Sequence, residues 1–182
     1  SHAIDNLRIA AGEMEGHFYG QVFQDSDVYK WLEAVGNILM LERDEELEKQ
    51  ADSVIDLIAK AQEEDGYLDT YFSIEEPDKK WTNVLECHEL YCAGHFIESA
   101  VAYYRATGKE KIIQVAYKLA DYLDTVFGPE EGKLHGYPGH QEIEIALIKL
   151  YDLSGNEKYL KLAGYFINTR GTNHFFEEEF EK

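Results

Sequence analysis

The chain is poor in cysteine, in positive charge and in long apolar runs. Its two cysteines, Cys87 and Cys92, stand five apart. On a helix that spacing turns them about 140° away from each other, which suits neither a mutual disulfide nor a disulfide framework. A reducing, cytoplasmic setting is the resulting expectation. Only 17 Lys and Arg oppose 36 Asp and Glu, a net charge of −19. That balance excludes nucleic acid and anionic membrane surfaces as partners, because both require basic patches. No run of apolar residues approaches the roughly 20 needed to cross a bilayer, and no signal peptide is recognisable at the start. Ser-His-Asp order, a phosphate-cradling glycine loop and a dinucleotide fingerprint are also missing.

What the chain does have is a core and a helical period. Apolar residues make up 45% of 182 residues, enough for a single all-helical domain over residues 1–182. A short helical pattern over residues 4–14 breaks at Gly16. Val28, Trp31, Leu32, Val35, Ile38 and Leu39 predict a helix from Ser26 to Leu41, capped by Asp25 or Ser26. A partner runs from Glu45 to Glu63 behind an Asp44 cap. Residues 67–84 carry large aromatics without helical period and read as a long functional loop. Further helices are expected over residues 86–108, 110–127, 141–153 and 157–169, the last closed by Gly171.

These helices repeat. Gly108-Lys109-Glu110-Lys111 is echoed 47 positions later by Gly155-Asn156-Glu157-Lys158, and Gly94-His95 by Gly139-His140. A period of about 45 residues signals stacked helix pairs. Turns within pairs are tight and polar, whereas links between pairs are long and rich in glycine and aromatics. All the long loops then fall at one end, as in a helical toroid with a funnel-shaped site. Three hairpins make half of a six-hairpin ring.

One stretch concentrates chemistry: Glu86-Cys87-His88-Glu89-Leu90-Tyr91-Cys92-Ala93-Gly94-His95. On a helix, His88, Cys92, His95 and Ser99 share a narrow stripe, which predicts a polar cavity face. Leu90, Ile97, Val101 and Tyr104 form an apolar stripe. His88, Cys92 and His95 are metal ligands by type, yet His88 and His95 would lie about 10 Å apart along the axis, too far for one ion. Cys87 and Cys92 read as packing residues. Asp65, Glu86, Glu89, Glu142 and Glu144 could supply a carboxylate pair for glycoside hydrolysis. In so acidic a chain, however, carboxylates near helix starts are expected as caps. Glu98 and Glu144, repeated within helices, read as structural. His88 and His140 open corresponding helices at the funnel end, where imidazoles can hydrogen-bond hydroxyls. Tyr67, Trp81 and Tyr137 offer rings on which a sugar could stack.

Four motifs in this order resemble the catalytic domain of glycoside hydrolase family 127, the β-L-arabinofuranosidase family. They are Phe23-Gln24-Asp25-Ser26-Asp27-Val28-Tyr29-Lys30-Trp31-Leu32-Glu33-Ala34, Asp65-Gly66-Tyr67-Leu68, the stretch from His88 to His95, and His135-Gly136-Tyr137-Pro138-Gly139-His140-Gln141-Glu142-Ile143-Glu144. The resemblance implies an all-α fold of helical hairpins, here half of an (α/α)6 toroid, and retaining hydrolysis of β-L-arabinofuranosides. It implies His88 and His140 as sugar-binding residues, with Tyr67, Trp81 and Asp65 as further substrate-binding candidates. The family's nucleophilic cysteine, zinc ligands and acid/base glutamate have no match here, so neither a catalytic residue nor a metal or cofactor is expected in this chain. Zinc would belong to the complete enzyme. A carbohydrate is the expected ligand, and a half-toroid calls for a second copy or a C-terminal half. The same residues also fit a non-catalytic helical-repeat module that binds a sugar or peptide in its concave face. A lyase or hydrolase of another toroid family, using Asp65 and a tyrosine, is a further alternative.

Overall fold

The computed structural model describes residues 1–172. Helix α1 (His2–Ala10) precedes three helical hairpins. These are α2 (Asp25–Leu41) with α3 (Glu45–Ala61), α5 (Glu89–Thr107) with α6 (Glu110–Val126), and α7 (Ile143–Ser154) with α8 (Glu157–Thr169). Helix α5 packs between α2 and α7, while α6 touches α3 and α8. The result is an inner layer of α2, α5 and α7 backed by an outer layer of α3, α6 and α8, half of an (α/α)6 toroid.

The sequence repeat is a repeat of one capping device. Gly108 and Gly155 both close their helices in the left-handed region, at φ 71° and 70°. Their N–H groups donate back to the carbonyls of Tyr104 and Tyr151. Glycine adopts this conformation without the Cβ penalty, so each chain reverses within two residues. In the first hairpin the Asp44 carboxylate accepts from the N–H groups of Glu46 and Leu47, as expected of the N-cap. Helix α2 presses closely on α5 at Gly36, where a Cβ would stand 2.8 Å from the backbone of Ala102 and Tyr103.

Four local expectations are corrected. Asp25 does not cap α2. Its buried carboxylate instead accepts from the Thr70 N–H at 2.7 Å and the Thr70 hydroxyl at 2.6 Å. The aromatic segment contains α4 (Thr70–Ile74), started by Asp69, whose carboxylate accepts from the Phe72 N–H. One turn and a half is too short to show a period. Helix α5 starts at Glu89 rather than at residue 86, because His88 takes left-handed backbone angles, φ 62° and ψ 16°. Finally, the stripe from His88 to Ser99 is not one cavity face, since Cys92 and Ser99 are fully buried. With α2, α6 and α7 all against it, α5 is covered nearly all round, so helical spacing alone could not tell its cavity side from its packed sides.

Candidate functional site

The ends of the long loops meet at the heads of the inner helices. His88 stands just before α5 and His140 just before α7, and their ring centroids lie 4.9 Å apart. Two glycines make the approach possible. A Cβ on Gly139 would sit 2.3 Å from the Leu85 carbonyl oxygen, and one on Gly94 would sit 2.6 Å from the Glu142 side chain. The Gly-His repeat therefore lets the loop entering α7 nest against the start of α5 and brings His140 beside His88.

His88 is held by its backbone and its ring. A left-handed non-glycine residue costs on the order of 1 kcal/mol, and the structure around it absorbs that cost. The His88 carbonyl accepts from the Cys92 N–H and so begins the helix. Its Nδ1 hydrogen-bonds the Glu86 carbonyl. A carbonyl only accepts, so Nδ1 carries the proton and Nε2 is left as an acceptor. Phe23, just ahead of α2, packs at 5.1 Å from the His88 ring, and Tyr91 meets it edge-on at 5.7 Å. Tyr91 also lies 5.2 Å from His140 and 4.5 Å from His95. Its hydroxyl accepts from the Lys30 ammonium at 2.8 Å.

Beneath the ring cluster lies a charged wall from all three inner helices. His95 and Glu98 come from α5, Glu33 from α2, Lys149 from α7, and Glu142 from the residue before α7. Lys149 pairs with Glu98 and lies 3.8 Å from Glu33. His95 Nδ1 faces Glu142 Oε1 at 3.2 Å. Burial, with the hydrogen bond to Glu98, holds the Glu142 carboxyl above its usual range. Burial also opposes ionisation of Glu98, but hydrogen bonds from Glu142 and Lys149 outweigh it and keep that carboxyl low. Glu142 is thus the proton donor and Glu98 the anion. Burial and the nearby Lys30 charge lower His95 to about 4, so its imidazole is neutral. Glu33, His95 and Glu98 offer three ligand atoms within 4.8 Å of one another, where Lys149 already supplies a positive charge. Burial raises both thiols, Cys92 strongly with the Asp69 and Asp25 charges adding to it.

The remaining sequence candidates are not brought to the imidazole pair. Tyr67 is 1% exposed and its hydroxyl donates to Glu89 at 2.6 Å. Trp81 packs against Tyr67, Tyr122 and Phe127 and donates its indole N–H to the Tyr122 hydroxyl. These two rings brace the loop from behind; Tyr67 in particular, with its ring enclosed, has no face free for a sugar to stack on. Tyr137 is likewise buried, under Arg170. Asp65 is exposed beside Lys118 and Tyr122 of α6 and accepts from the Tyr67 N–H within its own turn.

Glu89 has a role that helix-start statistics conceal. It is 1% exposed and binds both the Tyr67 hydroxyl and the Trp81 N–H, the latter at 2.9 Å. Burial pushes it up to about 7 against the lowering effect of those bonds. Trp81 and His88 are the two non-glycine residues with positive φ among the described residues. Glu89 holds the first directly and is the chain neighbour of the second. The site also includes Tyr91 and Lys30, which lie within two of the sequence motifs but were not singled out there as site residues.

The family model described as "Beta-L-arabinofuranosidase, GH127 catalytic domain" matches residues 1–180. The chain is 51% identical over 180 residues to the non-reducing end beta-L-arabinofuranosidase of Bifidobacterium longum subsp. longum, covering 97% of this chain and 27% of that protein. A solved GH127 beta-L-arabinofuranosidase from Geobacillus stearothermophilus T6 is 61% identical with a TM-score of 0.96, covering 99% of this chain and 28% of that one. A second solved GH127 beta-arabinofuranosidase is 38% identical with a TM-score of 0.87, over 93% of this chain and 28% of its own. The chain spans about a quarter of the length of these relatives.

Proposed function

The chain belongs to the GH127 β-L-arabinofuranosidase catalytic-domain family, and from that premise we propose that it forms the sugar-binding wall of a glycoside hydrolase acting on β-L-arabinofuranosides. The carrying observation is the approach of His88 and His140 to 4.9 Å from two different hairpins. The His88 Nε2 accepts a hydrogen bond from one sugar hydroxyl, and His140 binds a neighbouring one. Phe23 lies beside His88 and Tyr91 beside His140, so aromatic surface flanks the pair for the C–H groups of a furanose.

Two features support a division of labour: burial raises both thiols, and the carboxylates of the inner wall are engaged with Lys149 and with each other. Nucleophile, acid/base and zinc ligands belong, in this reading, to the part of the relatives that this chain does not span. The 182 residues alone therefore bind sugar without hydrolysing it.

Calorimetric titration with methyl β-L-arabinofuranoside tests the reading. Binding that is lost in both His88→Ala and His140→Ala supports it; binding indifferent to both variants overturns the sugar site. Turnover of an aryl β-L-arabinofuranoside by the pure chain would overturn the division of labour.

A further inference from the structure

We propose that Tyr91 is a positioning residue that sets the orientation of His140 and with it the spacing of the imidazole pair. This rests on the sugar-site reading of His88 and His140. His88 is anchored independently, through its helix-starting carbonyl and its Nδ1 bond to Glu86. His140 is exposed, and among the described residues no hydrogen bond holds its ring. Its ring contacts are with His88 at 4.9 Å and Tyr91 at 5.2 Å.

Tyr91 is itself fixed from three sides. Its backbone lies in the first turn of α5. His95, one turn later, meets its ring edge-on at 4.5 Å and 86°. Across the inner layer Lys30 of α2 donates to its hydroxyl at 2.8 Å, and Lys30 is steadied in turn by the Ser26 hydroxyl at 3.2 Å. Tyr91 thus transmits the placement of α2 and α5 to a histidine carried by the loop before α7. A histidine without a hydrogen bond of its own samples many ring orientations unless a rigid neighbour restricts it, and each unproductive orientation weakens binding.

The test uses the whole chain with labelled histidine and aromatic rings. Nuclear Overhauser contacts between Tyr91 and His140, and between His88 and His140, are expected in the wild type. Their absence overturns the proposal without any variant. In Tyr91→Leu and Tyr91→Met the His88–His140 contact is expected to disappear and the dissociation constant for methyl β-L-arabinofuranoside to rise about tenfold. Two ring-deleting variants are used so that a folding failure in one leaves the other. Tyr91→Phe, which keeps the ring, is expected to retain the contact and to bind within about threefold of wild type. A folded ring-deleting variant that keeps the His88–His140 contact reduces Tyr91 to a packing role and overturns the proposal. If His88→Ala and His140→Ala leave sugar binding unchanged, the sugar site fails, while the ring contacts still decide what Tyr91 does.

Discussion

The Tyr67 hydroxyl donates to the Glu89 carboxylate at 2.6 Å, inside a region where both residues are 1% exposed. That bond joins the loop after the first hairpin to the first residue of the central inner helix, and it couples the fold to the protonation of Glu89.

Burial raises the Glu89 carboxyl from 4.5 to about 7 in the folded protein. A folded pKa above the unfolded one means that the native state binds the extra proton. The stabilisation is therefore complete below pH 4.5 and is lost as pH rises through about 7. Stability is expected to fall by about 3 kcal/mol across that window through this group. Glu89→Gln should flatten the fall, leaving the parts due to Asp25, raised by burial to about 6, and to Asp69 and Glu142, whose carboxyls burial also raises. Thermal melts from pH 4.5 to 8 check this, and an identical slope in the variant would count against it.

Asp25→Ala should be among the more damaging substitutions. It strips two hydrogen bonds from Thr70, whose N–H and hydroxyl are then buried without partners. The expected loss is about 3 kcal/mol in urea denaturation. Thr70→Val removes one bond and should cost less. A loss below about 0.5 kcal/mol for Asp25→Ala would show that the tie between α2 and α4 is dispensable.

Gly139→Ala should act on the site more than on the core. The new methyl would meet the Leu85 carbonyl oxygen at 2.3 Å, so the loop before α7 must shift. Overpacking of this kind costs about 1–3 kcal/mol, and here the strain falls on an exposed loop residue beside His140. Helical content by circular dichroism should be kept while the dissociation constant for methyl β-L-arabinofuranoside rises at least about tenfold. Unchanged affinity would mean that the close approach at Gly139 does not place His140.

Lys149→Met should show a pH-dependent penalty. Lys149 is the cation of the wall formed by Glu33 and Glu98, and it helps to keep Glu98 ionised. Without it the two carboxylates repel at neutral pH, and protonation at low pH relieves the repulsion. The drop in melting temperature relative to wild type is expected to be larger at pH 8 than at pH 5. Calorimetry at the two values checks the order, and an equal drop at both would assign Lys149 a packing role through its alkyl stem.

Much of this architecture was legible because it is local. The helical period of α2 and α6 comes from their own residues, and the caps at Asp44, Gly108 and Gly155 satisfy backbone groups within four residues. The repeat at Gly94-His95 and Gly139-His140 carried both the close packing of α7 on α5 and the pairing of His88 with His140. Asp25 and Glu89 were misread for one shared reason. Each is an acidic residue at a helix start, where a cap is the ordinary role, yet burial gave each a distant partner, Thr70 and Tyr67. Tyr67 and Trp81 were read as stacking surfaces from composition alone, and the packing between them encloses the Tyr67 ring.

The amino-acid order by itself determined the hairpins, their turns, the stacking of three pairs and the family, because period, caps and motifs are properties of neighbouring residues. Only the tertiary structure decided which polar groups meet one another at the heads of the inner helices and which are sealed. On α5 that choice depends on α2, α6 and α7 pressing from several sides, and no spacing along one helix records its neighbours. Cys92 and Ser99 were closed in by that packing, while Tyr91 was set among three imidazoles, His88, His95 and His140, and the ammonium of Lys30.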